Sequence, residues 1–132
     1  MNDRRVTVLY VDDDPLMLRI VSRYLENNSF SCRTASTVYD ALEQLQFCRP
    51  DLILSDYDMP VVNGGMFRRH VLSMEQLKSI PFVYYSGTTS AWFLAEAEEL
   101  GVHVVSKLAG LDKLLDLLKV LKSRFCREEA AL

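Results

Sequence analysis

The chain has no apolar run approaching the roughly 18 residues that a membrane helix needs, so no transmembrane segment is predicted. The opening residues, MNDRR, lead into no apolar signal core, which argues against a secretion signal and for a cytoplasmic protein. Cysteine is scarce and unpatterned. Cys32, Cys48 and Cys126 are odd in number and lie in no metal-ligand spacing, which predicts free thiols in a reducing compartment. There is no basic surplus either: 15 Lys and Arg face 18 Asp and Glu, a net charge of −3 that leaves no electrostatic footprint for nucleic acid. Repeats, low-complexity tracts and linkers are missing, so residues 1–132 read as one domain, with a core over about 6–125 and a frayed tail at 127–132. That length buries roughly two thirds of the unfolded surface. The composition, 49% hydrophobic and 25% charged, is that of an ordinary globular domain.

What is present centres on residues 51–60, DLILSDYDMP. The apolar run Leu52 to Leu54 is too short for a helix and lacks polar alternation, so it predicts a strand buried on both faces in the middle of a parallel sheet. Asp56 ends it, and Pro60 with Asn63-Gly64-Gly65 stops the element. The carboxyl end of a central strand is where open α/β sheets bind ligands.

Before it, VTVLYV at 6–11 reads as a first strand, and Asp14 with Pro15 marks the start of a helix over 15–27. Its apolar face is predicted from Leu16, Ile20, Val21 and Tyr24. Residues 30–33 read as a weak strand near an edge. Thr37 caps a helix that buries Val38, Leu42 and Leu45. After the central strand come a helix over 66–74, a strand at 81–85 leading into SGTT, and a helix capped by Ser90 and stopped by Gly101. A fifth strand covers 102–105. The last helix, over 111–125, places Leu111, Leu114, Leu115, Leu118, Leu121 and Phe125 on one face. Five strands alternating with five helices predict a three-layer α/β/α fold around a parallel sheet.

In such a sheet the polar residues that close the strands converge on one edge: Asp12 and Asp13 after the first, Asp56, Ser86, and Lys107 after the fifth. Each has an ordinary reading alone. Asp14 is a helix cap, and Asp12, Asp13 or Asp56 could each be a turn acid. Together they are harder to dismiss, because carboxylates about 4 Å apart repel by roughly 1–4 kcal/mol per pair. A divalent cation with oxygen ligands, Mg²⁺ above all and Mn²⁺ as an alternative, removes the conflict. A carboxylate can then carry a phosphoryl group, with the cation and Lys107 neutralising its oxygens and Ser86 donating to one of them.

On YVDDDP (10–15), DLILSDYDMP (51–60), VYYSG (83–87) and VVSK (104–107), the chain resembles the receiver domain of two-component response regulators over about 6–125. The resemblance implies a flavodoxin-like sheet of order 2-1-3-4-5. It implies that Asp56 accepts a phosphoryl group from a histidine kinase or a histidine phosphotransfer protein, so the domain is a signalling module and not a turnover enzyme. It also implies that Asp13 ligates Mg²⁺ directly, Asp12 largely through water, and Asp58 through its backbone carbonyl. Ser86 matches the switch hydroxyl and Lys107 the phosphoryl-contacting lysine. The unidentified downstream partner, or a homodimer, is expected on the face formed by residues 90–125, where Leu117 and Val120 lie off the main apolar stripe.

Four positions depart from the family pattern: Leu108 stands where proline is usual, Val104 where an aromatic switch residue is common, Gly87 replaces a small alanine, and 101–107 is one residue short. Two other readings stand beside this one. A phosphatase or phosphotransferase of the haloacid dehalogenase type also uses an Asp-x-Asp nucleophile with Mg²⁺. However, its motif wants Thr or Val where Pro60 stands, and its acidic pair follows the lysine. The other is a receiver-like interaction domain not controlled by phosphorylation.

Overall fold

The computed structural model describes residues 5–87 and 90–131, the last helix by its backbone alone from residue 125 onward. Five strands and five helices alternate: β1 (Val6–Val11), α1 (Pro15–Glu26), β2 (Phe30–Ala35), α2 (Val38–Leu45), β3 (Leu52–Ser55), α3 (Gly64–Leu72), β4 (Phe82–Ser86), α4 (Ala91–Leu100), β5 (His103–Ser106) and α5 (Leu111–Ala131). A single 3-10 turn, Lys107–Ala109, links the last two. All strand pairs are parallel and the order is β2-β1-β3-β4-β5, as expected.

β3 is the central strand and every one of its residues is buried, which is why it carries no polar alternation. Asp51 fastens its start: its amide donates to the Thr7 carbonyl at 2.8 Å, and its Oδ2 accepts from the Thr7 amide at 2.9 Å. The pleat divides the core. Leu9, Val11, Ile53, Phe82 and Tyr84 pack toward α2, α3 and α4, whereas Val8, Tyr10, Leu54, Val83 and Tyr85 pack toward α1 and α5.

Local chemistry accounts for the starts and stops. Asp14 caps α1, its side chain accepting from the Leu16 amide at 2.9 Å, with Pro15 at the first helical position. Thr37 caps α2 by accepting from the Asp40 amide, and Gly101, with φ of 72°, ends α4 in the left-handed region.

Four expectations are corrected. α1 buries Val21 as expected, with Tyr24 partly buried, but turns Leu16 and Ile20 outward, 59% and 41% exposed, and buries Leu25 in their place. α3 begins at Gly64, not 66, because Asn63 Oδ1 accepts from the Met66 amide and so brings both glycines into the first turn. Ser90 occupies the N-cap of α4 but makes no capping hydrogen bond with its side chain. α5 runs on to Ala131, where an end at 125 was expected. The expected apolar contact of Phe125 and the thiol of Cys126 lie outside the described side chains, as does the whole of Thr88, Thr89 and Leu132. No helix among the described residues is long and apolar enough to cross a membrane.

Candidate functional site at the carboxyl edge of the sheet

β1 and β3 are neighbours in register, Val11 opposite Ser55, so the residues that follow them emerge side by side. The Asp56 amide donates to the Val11 carbonyl at 2.9 Å, and the Asp12 amide to the Ala35 carbonyl at 3.1 Å. One carboxylate oxygen from each of Asp12, Asp13 and Asp56 lies within 4.8 Å of the other two. The three acids differ in surroundings. Asp12 is fully buried, and both its oxygens are engaged. Oδ2 accepts from the Tyr10 hydroxyl at 2.5 Å and meets Lys107 Nζ at 2.8 Å, while Oδ1 accepts from the Asp14 amide at 3.0 Å. Asp56 is 6% exposed, and Asp13 is exposed, with no hydrogen bond or ion pair to its carboxylate among the described residues.

Lys107 spans the acids. Its Nζ stands 3.3 Å from Asp56 Oδ2 as well as 2.8 Å from Asp12. It does so with every peptide bond trans among the described residues, so Leu108 in place of proline does not cost Lys107 its reach. Leu108 itself is 82% exposed. Ser86 is buried at the end of β4, in register with Ser106. Asp58 is exposed in the loop after Asp56, and its carbonyl accepts no hydrogen bond among the described residues. Val104 is partly buried against the cluster under α2, α3 and α4.

Three contributors are invisible to motif reading. Tyr10 braces Asp12; the signal was the two-residue period of β1, which puts positions 10 and 12 on one face. Ser55 donates its buried hydroxyl to the Asp56 carbonyl at 2.8 Å. Gly64 approaches that carbonyl so closely that an added Cβ would sit 2.5 Å from the oxygen and 2.8 Å from Tyr57 Cα, which no side chain tolerates. Nothing in the sequence marks Ser55, while the paired glycines read as a turn.

The charges follow from the packing. Burial raises the Asp56 pKa above the usual carboxylate range, with Lys107 pulling it back and Asp12 adding to the rise. Burial would lower the Lys107 pKa, but its contacts with Asp12 and then Asp56 outweigh that and hold it raised. Burial also pushes the Tyr10 hydroxyl up, helped by its hydrogen bond to Asp12, so it stays a donor. A buried acid, an uncommitted exposed acid and a third between them, all offering oxygen, make an acidic pocket suited to a hard metal ion.

Residues 8–119 match the family model for the response regulator receiver domain. Among curated proteins, the chain is 32% identical over 120 residues to a protein-glutamate methylesterase/protein-glutamine glutaminase of Bacillus licheniformis, covering 87% of this chain and 32% of that protein. The chain thus spans about a third of the length of that relative. Among solved structures, the chemotaxis protein CheY4 of Vibrio cholerae superposes with a TM-score of 0.82 at 29% identity, covering 89% of this chain and 99% of that one. The receiver domain of the Francisella response regulator 1452 shares the fold at 22% identity, with a TM-score of 0.82 over 92% of this chain and 99% of its own.

Proposed function

The chain belongs to the response regulator receiver domain family of two-component signalling, and from that membership we propose that it accepts a phosphoryl group on Asp56 from the phosphohistidine of a kinase or phosphotransfer protein. The observation that carries the proposal is Lys107 Nζ within 3.3 Å of Asp56 Oδ2, beside two further carboxylates. Asp56 attacks phosphorus through a carboxylate oxygen; the P–N bond of the donor breaks, an acyl phosphate P–O bond forms, and the imidazole leaves with the electron pair and takes a proton. Lys107 then faces the new phosphoryl oxygens, and Ser86 is the hydroxyl set to donate to one of them.

Asp13, Asp56 and the Asp58 carbonyl would hold Mg²⁺ directly, or Mn²⁺ in its place. Asp12 would act largely through water, since its oxygens already accept from Tyr10, Asp14 and Lys107. Bound there, the cation would supply positive charge beside the transferred group. Family membership and the order of acidic pair, acceptor and lysine along the chain speak against the haloacid dehalogenase-type alternative. The site residues thus serve a switch rather than turnover, read out by a downstream protein or a second copy at the face formed by α4, β5 and α5.

The test is covalent. Incubation with acetyl phosphate and Mg²⁺, followed by intact mass, is expected to show one phosphoryl adduct that Asp56→Asn loses; an adduct retained by that variant overturns the assignment. Separately, Mg²⁺ at about 100 times its dissociation constant should stabilise the fold by about 2.7 kcal/mol. Asp13→Ala should abolish that gain.

A further inference from the structure

Between α3 and α4, away from the acidic pocket, lies a groove of about 360 Å³, within the usual range of about 300–1,000 Å³ for small-molecule sites. Its floor is aromatic. Tyr57, Tyr84 and Phe93 pack as a trio, with ring centroids 5.4 Å apart for Tyr57 and Tyr84, 4.6 Å for Tyr57 and Phe93, and 5.5 Å for Tyr84 and Phe93. The walls are charged: Arg68 and Arg69 on α3, Glu96 on α4.

Two features supply uncommitted polar groups to the groove. Tyr84 is only 4% exposed, but its hydroxyl is not a buried unpaired atom: it makes no hydrogen bond among the described residues and opens to solvent where Tyr84 lines the groove. Arg68 is half-buried, and neither it nor Arg69 forms an ion pair or side-chain hydrogen bond among the described residues. Burial pushes the Tyr84 phenol up to about 12, with Arg68 drawing it down and Glu96 adding to the rise, so the hydroxyl remains a donor and the guanidiniums bias the groove toward negative charge.

We propose that this groove binds a small aromatic carboxylate, with its ring against Tyr57 and Phe93 and its carboxylate toward Arg68, Arg69 and the Tyr84 hydroxyl. The planar fork of arginine suits a carboxylate, and the aromatic floor suits a flat ring. Glu96 on the opposite wall repels a second negative charge and accepts from a donor, which favours a singly charged ligand bearing a hydroxyl. The site is independent of phosphoryl transfer, although Tyr57 directly follows Asp56 in the chain.

The experiment uses Asp56→Asn without Mg²⁺, so that failure of the phosphoryl-acceptor reading cannot affect it. 4-Hydroxybenzoate is titrated into the labelled protein and followed by amide and Trp92 indole NMR shifts, with 4-hydroxybenzamide and acetate as controls. Saturable shifts at residues 57, 65, 93 and 97 are expected, with affinity at least about tenfold weaker for the amide and for acetate. Arg68→Gln with Arg69→Gln should abolish saturation, and Tyr84→Phe should weaken binding several-fold while shifts outside the groove stay unchanged. Equal binding of the neutral amide, non-saturating shifts, or unchanged binding in the double arginine variant overturns the proposal.

Discussion

Asp56 and Lys107 pull the stability of the domain in opposite directions. The folded pKa of Asp56 is raised, so the fold prefers the neutral acid. Its favourable contribution is full below the ordinary carboxylate pKa and is lost as pH rises through the folded value. In Mg²⁺-free buffer at neutral pH, Asp56→Asn is therefore expected to melt at a higher temperature than the unaltered chain. That advantage should shrink to nothing as pH falls below about 4; a lower Tm for Asp56→Asn at pH 7 would contradict it. Lys107 is also raised, but as a cation this means its ion pairs stabilise the fold at neutral pH and fade only as pH rises through its folded pKa. Lys107→Met leaves Asp12 and Asp56 facing each other without a counter-charge and should cost on the order of 2–3 kcal/mol in chemical denaturation. Much of the site was readable at this scale because strand ends in a parallel sheet share an edge, so Asp12, Asp13, Asp56 and Lys107 had to converge. Tyr10 and Ser55 escaped because a tyrosine or serine inside a buried strand has no motif, only a face.

At the scale of elements, the loop from Asp56 to α3 is constrained where it meets Gly64. Gly64 packs against the Asp56 carbonyl, so Gly64→Ala must push the backbone that carries Asp56. A loss of about 1–3 kcal/mol is expected, measured by urea unfolding. Gly65→Ala meets only Asn63 Oδ1 and the Tyr57 ring at 3.3 Å and should cost less. Val61 is the opposite case: a β-branched residue at φ of 69°, 85% exposed, in a tight turn closed by the Val62 amide on the Pro60 carbonyl at 2.8 Å. Val61→Asn suits the left-handed backbone and should raise stability by about 1 kcal/mol, visible as a higher Tm. The elements themselves were legible wherever a cap and a periodic run agreed, as at Asp14-Pro15 and Thr37. The start of α3 was not, because two consecutive glycines after Asn63 look like a turn until tertiary contact demands them. The facing of α1 was read only in part, right at Val21 and wrong at Leu16 and Ile20, for a related reason. Leu16, Met17, Leu18, Ile20 and Val21 offer more than one stripe, and only the position of the sheet selects Val21 and Leu25.

For the whole molecule, one sheet serves two cores, with α1 and α5 on one side and α2, α3 and α4 on the other. Strand β3 joins them through Ile53 on one face and Leu52 and Leu54 on the other. Leu54→Ala should cost about 2–5 kcal/mol and lower the midpoints reported by Trp92 fluorescence and by far-ultraviolet circular dichroism together. A shift in one signal alone would mean that the two sides unfold separately. The strand order was deducible from alternation and resemblance, whereas the groove between α3 and α4 was not, since it depends on how two helices sit relative to Tyr84.

The return path of α5 carries a practical consequence. This helix leaves the acidic edge after Lys107, and by Leu121 and Arg124 it borders a cavity with Pro81, Gly101 and His103, where β4 and β5 begin. β1 starts at that same far edge. Both ends of the described chain thus point away from the carboxylates. A tether to a bead, a sensor surface or a fluorescent protein at either end would leave the pocket facing free solution, open to a donor of any size.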